Sequence, residues 1–353
     1  MGTERLNLEN RHVVITGASS GLGEAVAMEM AAHGAYITLL ARRQERLDAV
    51  AQRIADRGGN ALPLTADVTC KDDVNAAISR AVDQWGPVDI LVANAGVSPN
   101  MKASELDVQL VENTMQINFF GVIYAMNAVL PAMLKRREGV VLTISSVAAF
   151  RGLPTMGPYC ASKAAVSSWM ESLRSELDFQ KTGVRLITSH PGFIDTPMID
   201  SEKTPKPFLV DVNEAARLLV QGMIKGKSEI NFPWQLVTIM KFAQRLPNRL
   251  FDRAVIGSVT NPVTWTAAAG DAVLWVSGAL VAWGLFRFTL RTVSPPTAET
   301  LTLLGRVAVP LLVTGVLIVS KRLRGSIKIP ILIVIVSVML AACTGLAKLA
   351  GLL

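Results

Sequence analysis

The sequence predicts an α/β fold, a doubly wound parallel sheet with helices on both faces, followed by a small α-helical membrane domain. Three observations carry the prediction. Near the N-terminus a β-branched run, a glycine-rich turn, a helical stretch and a second apolar run follow one another as in a βαβ unit. Tyr159 and Lys163 stand four residues apart in a helical pattern. The C-terminal end holds three long apolar runs, in a chain of 353 residues that is 50% hydrophobic with a mean hydropathy of +0.38.

His12–Thr16 (HVVIT) is short and β-branched, which reads as a buried strand. It leads into Gly17, Ser19, Ser20, Gly21, Leu22 and Gly23, spaced G-x-x-x-G-x-G rather than G-x-G-x-x-G, and then into a helical pattern over 24–34. Strand, glycine-rich turn and helix together let a backbone approach a pyrophosphate at a helix N-terminus. The second strand follows at 35–40 (AYITLL) and the third at 61–65. After the second strand a carboxylate would take the ribose hydroxyls of NAD(H). The chain has Ala41, Arg42 and Arg43 there instead, with no acid before Glu45. Two guanidiniums suit a 2′-phosphate, which they grip in fork geometry. The expectation is therefore NADP(H) over NAD(H), with Arg42 as the direct contact. The other reading makes both arginines solvated residues opening a helix over 44–57. The turn itself offers Ser19 and Ser20 rather than a second cation.

In a helix, residues four apart share a face, so Tyr159 and Lys163 point into one cleft. An ammonium beside a phenol stabilises phenolate and lowers the Tyr pKa from about 10 towards the range of a working acid or base. Such a pair by itself is also an ordinary helix surface, and the upstream motifs give it meaning.

Taken together, residues 9–232 resemble the short-chain dehydrogenase/reductase family, with the matching motifs in family order. Thr16 to Gly23 (TGASSGLG) resembles the cofactor turn, and Asp67 with Val68 resembles the pair beside the adenine. Asn94, Ala95 and Gly96 resemble the NAG turn, with Ala93 where the family more often has Asn. Asn118 matches the helix Asn of the catalytic tetrad. Ser146 lies thirteen residues before Tyr159, as the family's Ser does, and this spacing selects it over Ser145. Pro191 and Gly192, with Thr196 shortly after, match the loop against the nicotinamide.

The resemblance implies a Rossmann-type sheet of about seven strands and ketone–alcohol interconversion. Tyr159 would be the proton donor or acceptor, and Ser146 a hydrogen-bonding stabiliser of the reacting oxygen. Lys163 would lower the Tyr pKa and bond the nicotinamide ribose, and Asn118 would hold a water leading from Lys163 to solvent. Asn118 also has a plainer reading, satisfying buried backbone groups. Specificity in the family depends on segments matching 146–156 and 193–209 here. Their Phe150, Leu153, Met156, Met198 and Phe208 suggest a hydrophobic, lipid-like carbonyl or alcohol substrate. Relatives commonly form a homodimer through the helices carrying Asn118 and Tyr159.

The apolar excess sits at the C-terminal end. Residues 266–286 are long enough to cross a bilayer, interrupted by Asp271; 301–320 is a second run, containing Arg306; 329–347 has no charge across nineteen residues. The expected organisation is a catalytic domain over 1–232, a linker over 233–262 and a membrane domain over 263–353 with two to three transmembrane helices. The loop 321–328 holds four basic residues against two basic and one acidic in 287–300. By the positive-inside rule the more basic loop is cytoplasmic, and the catalytic domain lies on the same side. In the linker, Lys241, Arg245, Arg249 and Arg253 recur every fourth residue among apolar positions, with Pro247 as a kink. That pattern suits a basic amphipathic helix on membrane lipids, the alternative being a helix packed on the enzyme with its charges in water.

Cys70, Cys160 and Cys343 are scattered and His12, His33 and His190 do not cluster, so neither a metal site nor a disulfide framework is expected. The net charge of +7 comes without a nucleic-acid motif, and residues 1–11 lack a secretory apolar run. His190 borders Pro191, with loop packing as its expected role. Two other functions stay open: a small-carbonyl reductase merely anchored to the membrane, and a cofactor-binding scaffold or redox sensor without turnover.

Overall fold

The computed structural model of the protein describes residues 6–198, 206–252 and 255, all within one of the two units of the chain, Met1–Val273. The apolar segments 266–286, 301–320 and 329–347, and the loop charges that orient them, lie outside the described residues.

Seven described strands form one parallel sheet. They are β1 (His12–Thr16), β2 (Tyr36–Ala41), β3 (Asn60–Thr65), β4 (Ile90–Ala93), β5 (Gly139–Ile144), β6 (Val184–Pro191) and β7 (Glu229–Phe232). Their spatial order is β3-β2-β1-β4-β5-β6-β7. The described helices are α1 (Gly21–Ala32), α2 (Gln44–Ala55), α3 (Lys71–Trp85), α4 (Val108–Met115), α5 (Gly121–Arg136), α6 (Gly157–Phe179), α7 (Val212–Ile224) and α8 (Trp234–Arg245).

The strands read as unbroken apolar runs because both faces are covered. Every residue of β1, β4 and β5 is buried. Alternate residues serve opposite faces: Val13, Ile15, Ile90, Val92, Val140 and Leu142 join the core with α1, α2 and α7. Val14, Leu91 and Val141 join the second core, with α3, α5 and α6. The order reverses between β1 and β4, and in an open α/β sheet that switch point opens a crevice at the carboxyl ends of the strands.

Local differences from the expected elements have simple causes. The first helix begins at Gly21, so the end of the glycine motif is already helical. The amphipathic stretch expected over 236–255 is not one kinked helix. Leu246, just before Pro247, is extended at φ −70° and ψ 141°, the conformation a following proline favours. A separate turn starts at Pro247, whose carbonyl accepts from the Leu250 and Phe251 amides. Among the described residues one helix, 108–136, is long and apolar enough to cross a membrane by composition. It contains α4 and α5, and Val122, Ala125, Met126, Val129 and Met133 pack it onto the sheet.

His12 is buried at the foot of β1. Its Nδ1 lies 2.8 Å from the Gly86 carbonyl and its Nε2 3.0 Å from Thr38 Oγ1, with Trp85 edge-on at 5.6 Å. Burial lowers its pKa below 6.5, against the hydrogen bond to Gly86 and the charge of Asp89. The folded state thus favours neutral His12, a contribution present above about pH 6.5 and lost as pH falls through the lowered folded value. Urea titrations between pH 7 and 5 should show stability falling more steeply for the native protein than for His12→Gln. Equal slopes would contradict this assignment.

Candidate active site

The glycine turn and the 94–96 turn are welded together. Asn94 Nδ2 donates to the carbonyls of Thr16 (3.0 Å) and Gly17 (3.3 Å), while Thr16 Oγ1 accepts from the Asn94 and Ala95 amides at 3.1 Å each. Only glycine fits at two positions. Gly17 has φ +68°, and a Cβ there would come within 2.8 Å of Ala95 Cα. A Cβ on Gly23 would meet the Gly17 carbonyl oxygen at 2.4 Å. The start of α1 carries no side-chain cap at Ser20, so its amides remain available to an anion.

The cleft above this cradle has a volume of about 460 Å³. Of the residues expected at the site, all line it except Gly23 and Asn118. Gly23 lies behind the turn and serves close packing rather than ligand contact. Arg42 also borders a second cavity with Asp67 and Arg80. Arg43, expected as the lesser contact, folds back so that its Nη2 donates to Ser19 Oγ at 3.0 Å and Ser20 Oγ at 3.4 Å. One oxygen of Asp67 is occupied by the amide and hydroxyl of Thr69, at 2.9 and 2.8 Å. Ser98 and Asn100 also line the cleft, and the motif reading missed them because they follow the recognisable turn.

Asn118 is fully buried in a π-helical turn, Gln116–Phe120, between α4 and α5; the Gly121 amide reaches back to the Gln116 carbonyl. The widened turn aims the Asn118 amide at its neighbours. Oδ1 accepts from the Val97 amide at 2.8 Å, and Nδ2 donates to the Val97 carbonyl and to Ser162 Oγ at 2.9 Å each. Ser162 Oγ in turn donates to the Tyr159 carbonyl at 2.8 Å. Asn118 thus ties the 96–97 turn to the start of α6. A Cβ placed on Gly96 would lie 3.3 Å from Asn118 Oδ1 and 3.4 Å from Lys163 Nζ, so both polar atoms face that glycine.

Lys163 is buried and its Nζ donates to the Ile144 carbonyl at 2.7 Å. Desolvation lowers its pKa from 10.5 to about 8. Ser146 Oγ accepts from the Ala148 amide at 3.1 Å, which leaves its proton to donate, and it hydrogen-bonds Tyr159. The expected lowering of the Tyr159 pKa by Lys163 is not what the protein alone produces. Desolvation raises it above 10, outweighing the bond from Ser146, so Tyr159 is a protonated acid at neutral pH. Behind these groups, Ser145 and Ser167 both donate to the Lys163 carbonyl, at 2.9 and 3.0 Å. His190 Nε2 lies 3.0 Å from Ser167 Oγ and its Nδ1 2.9 Å from Asn231 Oδ1. His190 therefore packs behind the site, as its expected loop-packing role required.

A glycine cradle at the switch point of a parallel sheet, sharing one cleft with buried Ser146 and Lys163 and half-buried Tyr159, defines an oxidoreductase of the dinucleotide-dependent type, acting on an alcohol or carbonyl. The family model for short chain dehydrogenases matches residues 11–207, and the chain belongs to that family. An uncharacterized oxidoreductase of Myxococcus xanthus is 38% identical over 245 residues, which span 69% of this chain and 96% of that protein. An 11-beta-hydroxysteroid dehydrogenase A of Sesamum indicum is 36% identical over 64% of this chain and 69% of its own. Among solved structures, an alcohol dehydrogenase of the archaeon Thermococcus sibiricus complexed with 5-hydroxy-NADP matches at TM-score 0.57 and 26% identity, covering 63% of this chain and 95% of that one.

The residues present fit a nicotinamide dinucleotide. Glycines stand where a side chain would block the approach of backbone, the N-terminus of α1 is uncapped, and Ser146, Tyr159 and Lys163 line the same cleft.

Proposed function

We propose that the protein is an NADP(H)-dependent oxidoreductase that interconverts a ketone and a secondary alcohol on a hydrophobic, lipid-like substrate. The observation that carries this reading is the apolar part of the cleft lining. Val147, Leu153, Met156, Phe193 and Met198 form it beside Ser146 and Tyr159, so a reactive carbonyl would meet hydrogen-bonding groups while its apolar body meets apolar side chains. The likeness to a hydroxysteroid dehydrogenase supports a ring ketone as one member of the class. Arg42 and Arg43, directly after β2 with no carboxylate before Glu45, line the cleft and support the phosphorylated cofactor.

When bound, the nicotinamide supplies or accepts a hydride. Tyr159 gives its proton to the carbonyl oxygen during reduction and takes it from the alcohol in reverse. Ser146 donates a hydrogen bond to the same oxygen, stabilising the charge that develops there. The Lys163 ammonium beside Tyr159 stabilises the phenolate left behind. Asn118 keeps α6 and the 96–97 turn in register.

In the same reading, 263–353 anchors the enzyme in a membrane as a multi-pass segment, with the catalytic domain on the cytoplasmic side. The chain pairs as a homodimer through the helices carrying Asn118 and Tyr159, where Phe120, at the end of the π-helical turn, and Trp169 of α6 are exposed.

The test is nucleotide oxidation by the detergent-purified full chain with short, long-chain and steroidal ketones. The expected outcome is turnover of long-chain or ring ketones with NADPH, and a KM for NADPH raised about tenfold or more in Arg42→Ala/Arg43→Ala, with NADH little affected. Turnover confined to small soluble ketones would replace the substrate class. Tight nucleotide binding with no turnover would favour a scaffold or sensor.

A further inference from the structure

We propose that Arg151 is a positioning residue that fastens α8 to the substrate-facing loop, so that loop 147–156 and α8 move as one body and set the apolar wall of the cleft. Arg151 lies five residues beyond Ser146 and contacts no catalytic group. Its Nη1 donates to the carbonyls of Ala243 (3.1 Å), Gln244 (3.1 Å) and Leu246 (2.9 Å), which end α8. Its Nη2 donates to Asn248 Oδ1 at 2.8 Å, and the guanidinium lies 4.2 Å from the centroid of the Phe251 ring. The last carbonyls of a helix have no partner within it and carry the negative end of its dipole. One planar cation here answers several of them at once and adds a ring contact. The grip also holds the turn after Pro247, where the chain leads on towards its C-terminal end.

The other side of α8 explains what the grip does. Leu236, Val237 and Met240 form one apolar cluster with Val147, against which Phe150, Leu153, Phe193 and Phe208 pack. Val147, Leu153 and Phe193 are themselves cleft-lining residues, so α8 backs the wall that substrate touches. Its first turn also presses on the loop after β6. A Cβ on Gly192 would come within 2.7 Å of Leu236 Cδ2 and 2.9 Å of Pro233 Cδ. Phe150, next to Arg151, stacks on His190 at 4.8 Å between ring centroids. Lys241 of α8 lies 5.5 Å over the same Phe150 ring and 3.6 Å from Glu229. Loop 147–156 also holds Ser146, whose Oγ accepts from the Ala148 amide at 3.1 Å. Loosening Arg151 therefore frees the wall first and the catalytic Ser second.

Hydrogen–deuterium exchange on the full chain in detergent tests the coupling directly. Arg151→Met keeps the apolar stem and removes the donors, and Arg151→Lys keeps charge but not the fork. In Arg151→Met, amides of 147–156 and 234–246 should both exchange about tenfold faster, with Arg151→Lys intermediate and NADPH affinity unchanged. With a long-chain 2-ketone and a steroid ketone, KM should rise about tenfold while kcat stays within about threefold. Faster exchange in 234–246 with 147–156 unaltered would overturn the proposal, since the clamp would then serve the tail alone, and an unaltered KM would do the same. The kinetic arm rests on the carbonyl-reductase reading. If no protein, native included, turns over any ketone, that reading falls while exchange still decides the coupling.

Discussion

Tyr159→Phe should reduce ketone turnover by about 10³-fold or more, with nucleotide affinity and thermal midpoint close to native. The change deletes one hydroxyl and leaves the ring in place. Ser146 remains, with its Oγ still accepting from the Ala148 amide, and it still offers a hydrogen bond to the substrate oxygen. A Ser hydroxyl is a far weaker acid than the Tyr159 phenol. Desolvation holds the phenol protonated at neutral pH, which is the form reduction requires. The oxidation direction needs the phenolate, so it should improve with rising pH in the native enzyme and remain flat in the variant. Turnover within tenfold of native would show that another group, or solvent, delivers the proton.

Lys163 offers the second large effect, because it titrates differently in the folded and unfolded chain. Its folded pKa is about 8 against 10.5 for an ordinary Lys. Between those values the unfolded chain binds more protons, so stability rises with pH. The shift corresponds to about 3 kcal/mol gained across that window, fully present above the unfolded value and lost again as pH falls to the folded one. Denaturant titrations from pH 7.5 to 10.5 should show that rise in the native protein and lose it in Lys163→Met. The same titration should appear in catalysis. Reduction should fall above about pH 8 as the ammonium beside Tyr159 discharges, and Lys163→Met should be slow at every pH. A common stability slope in the two proteins would mean that the ammonium is not desolvated.

Most of the catalytic half was legible because its signals are local. His12–Thr16 reads as a strand since a sheet covered on both faces needs apolar residues at successive positions. Tyr159 and Lys163 read as neighbours since helical spacing puts them together. What escaped depends on direction rather than presence. Spacing placed an ammonium near a phenol, but not that the ammonium would turn to the Ile144 carbonyl and that desolvation would raise the phenol's pKa against its bond with Ser146. Arg42 and Arg43 were both visible. That Arg43 reaches Ser19 and Ser20 follows from its extended backbone just before α2, at φ −102° and ψ 98°. The amphipathic pattern of α8 was visible too, yet periodicity does not say what the apolar face meets. In the described structure that face meets Val147, Phe150 and Leu153, while Trp234 and Phe242 remain exposed on the other side.

The widened turn at Gln116–Phe120 makes chain length itself a determinant of the site. A π-helical turn accommodates one residue more than the α-helix around it. Deleting one residue of 116–120 would let 108–136 wind as a regular helix with α4 and α5 keeping their faces, because the widened turn already absorbs the added residue. The loss would fall on the turn itself. The Gly121 amide would no longer reach back to the Gln116 carbonyl, and the Asn118 amide would lose the aim that bonds it to Val97 and Ser162. One residue of chain length, which the rest of the helix does not need, thus sets the direction of a buried amide at the site.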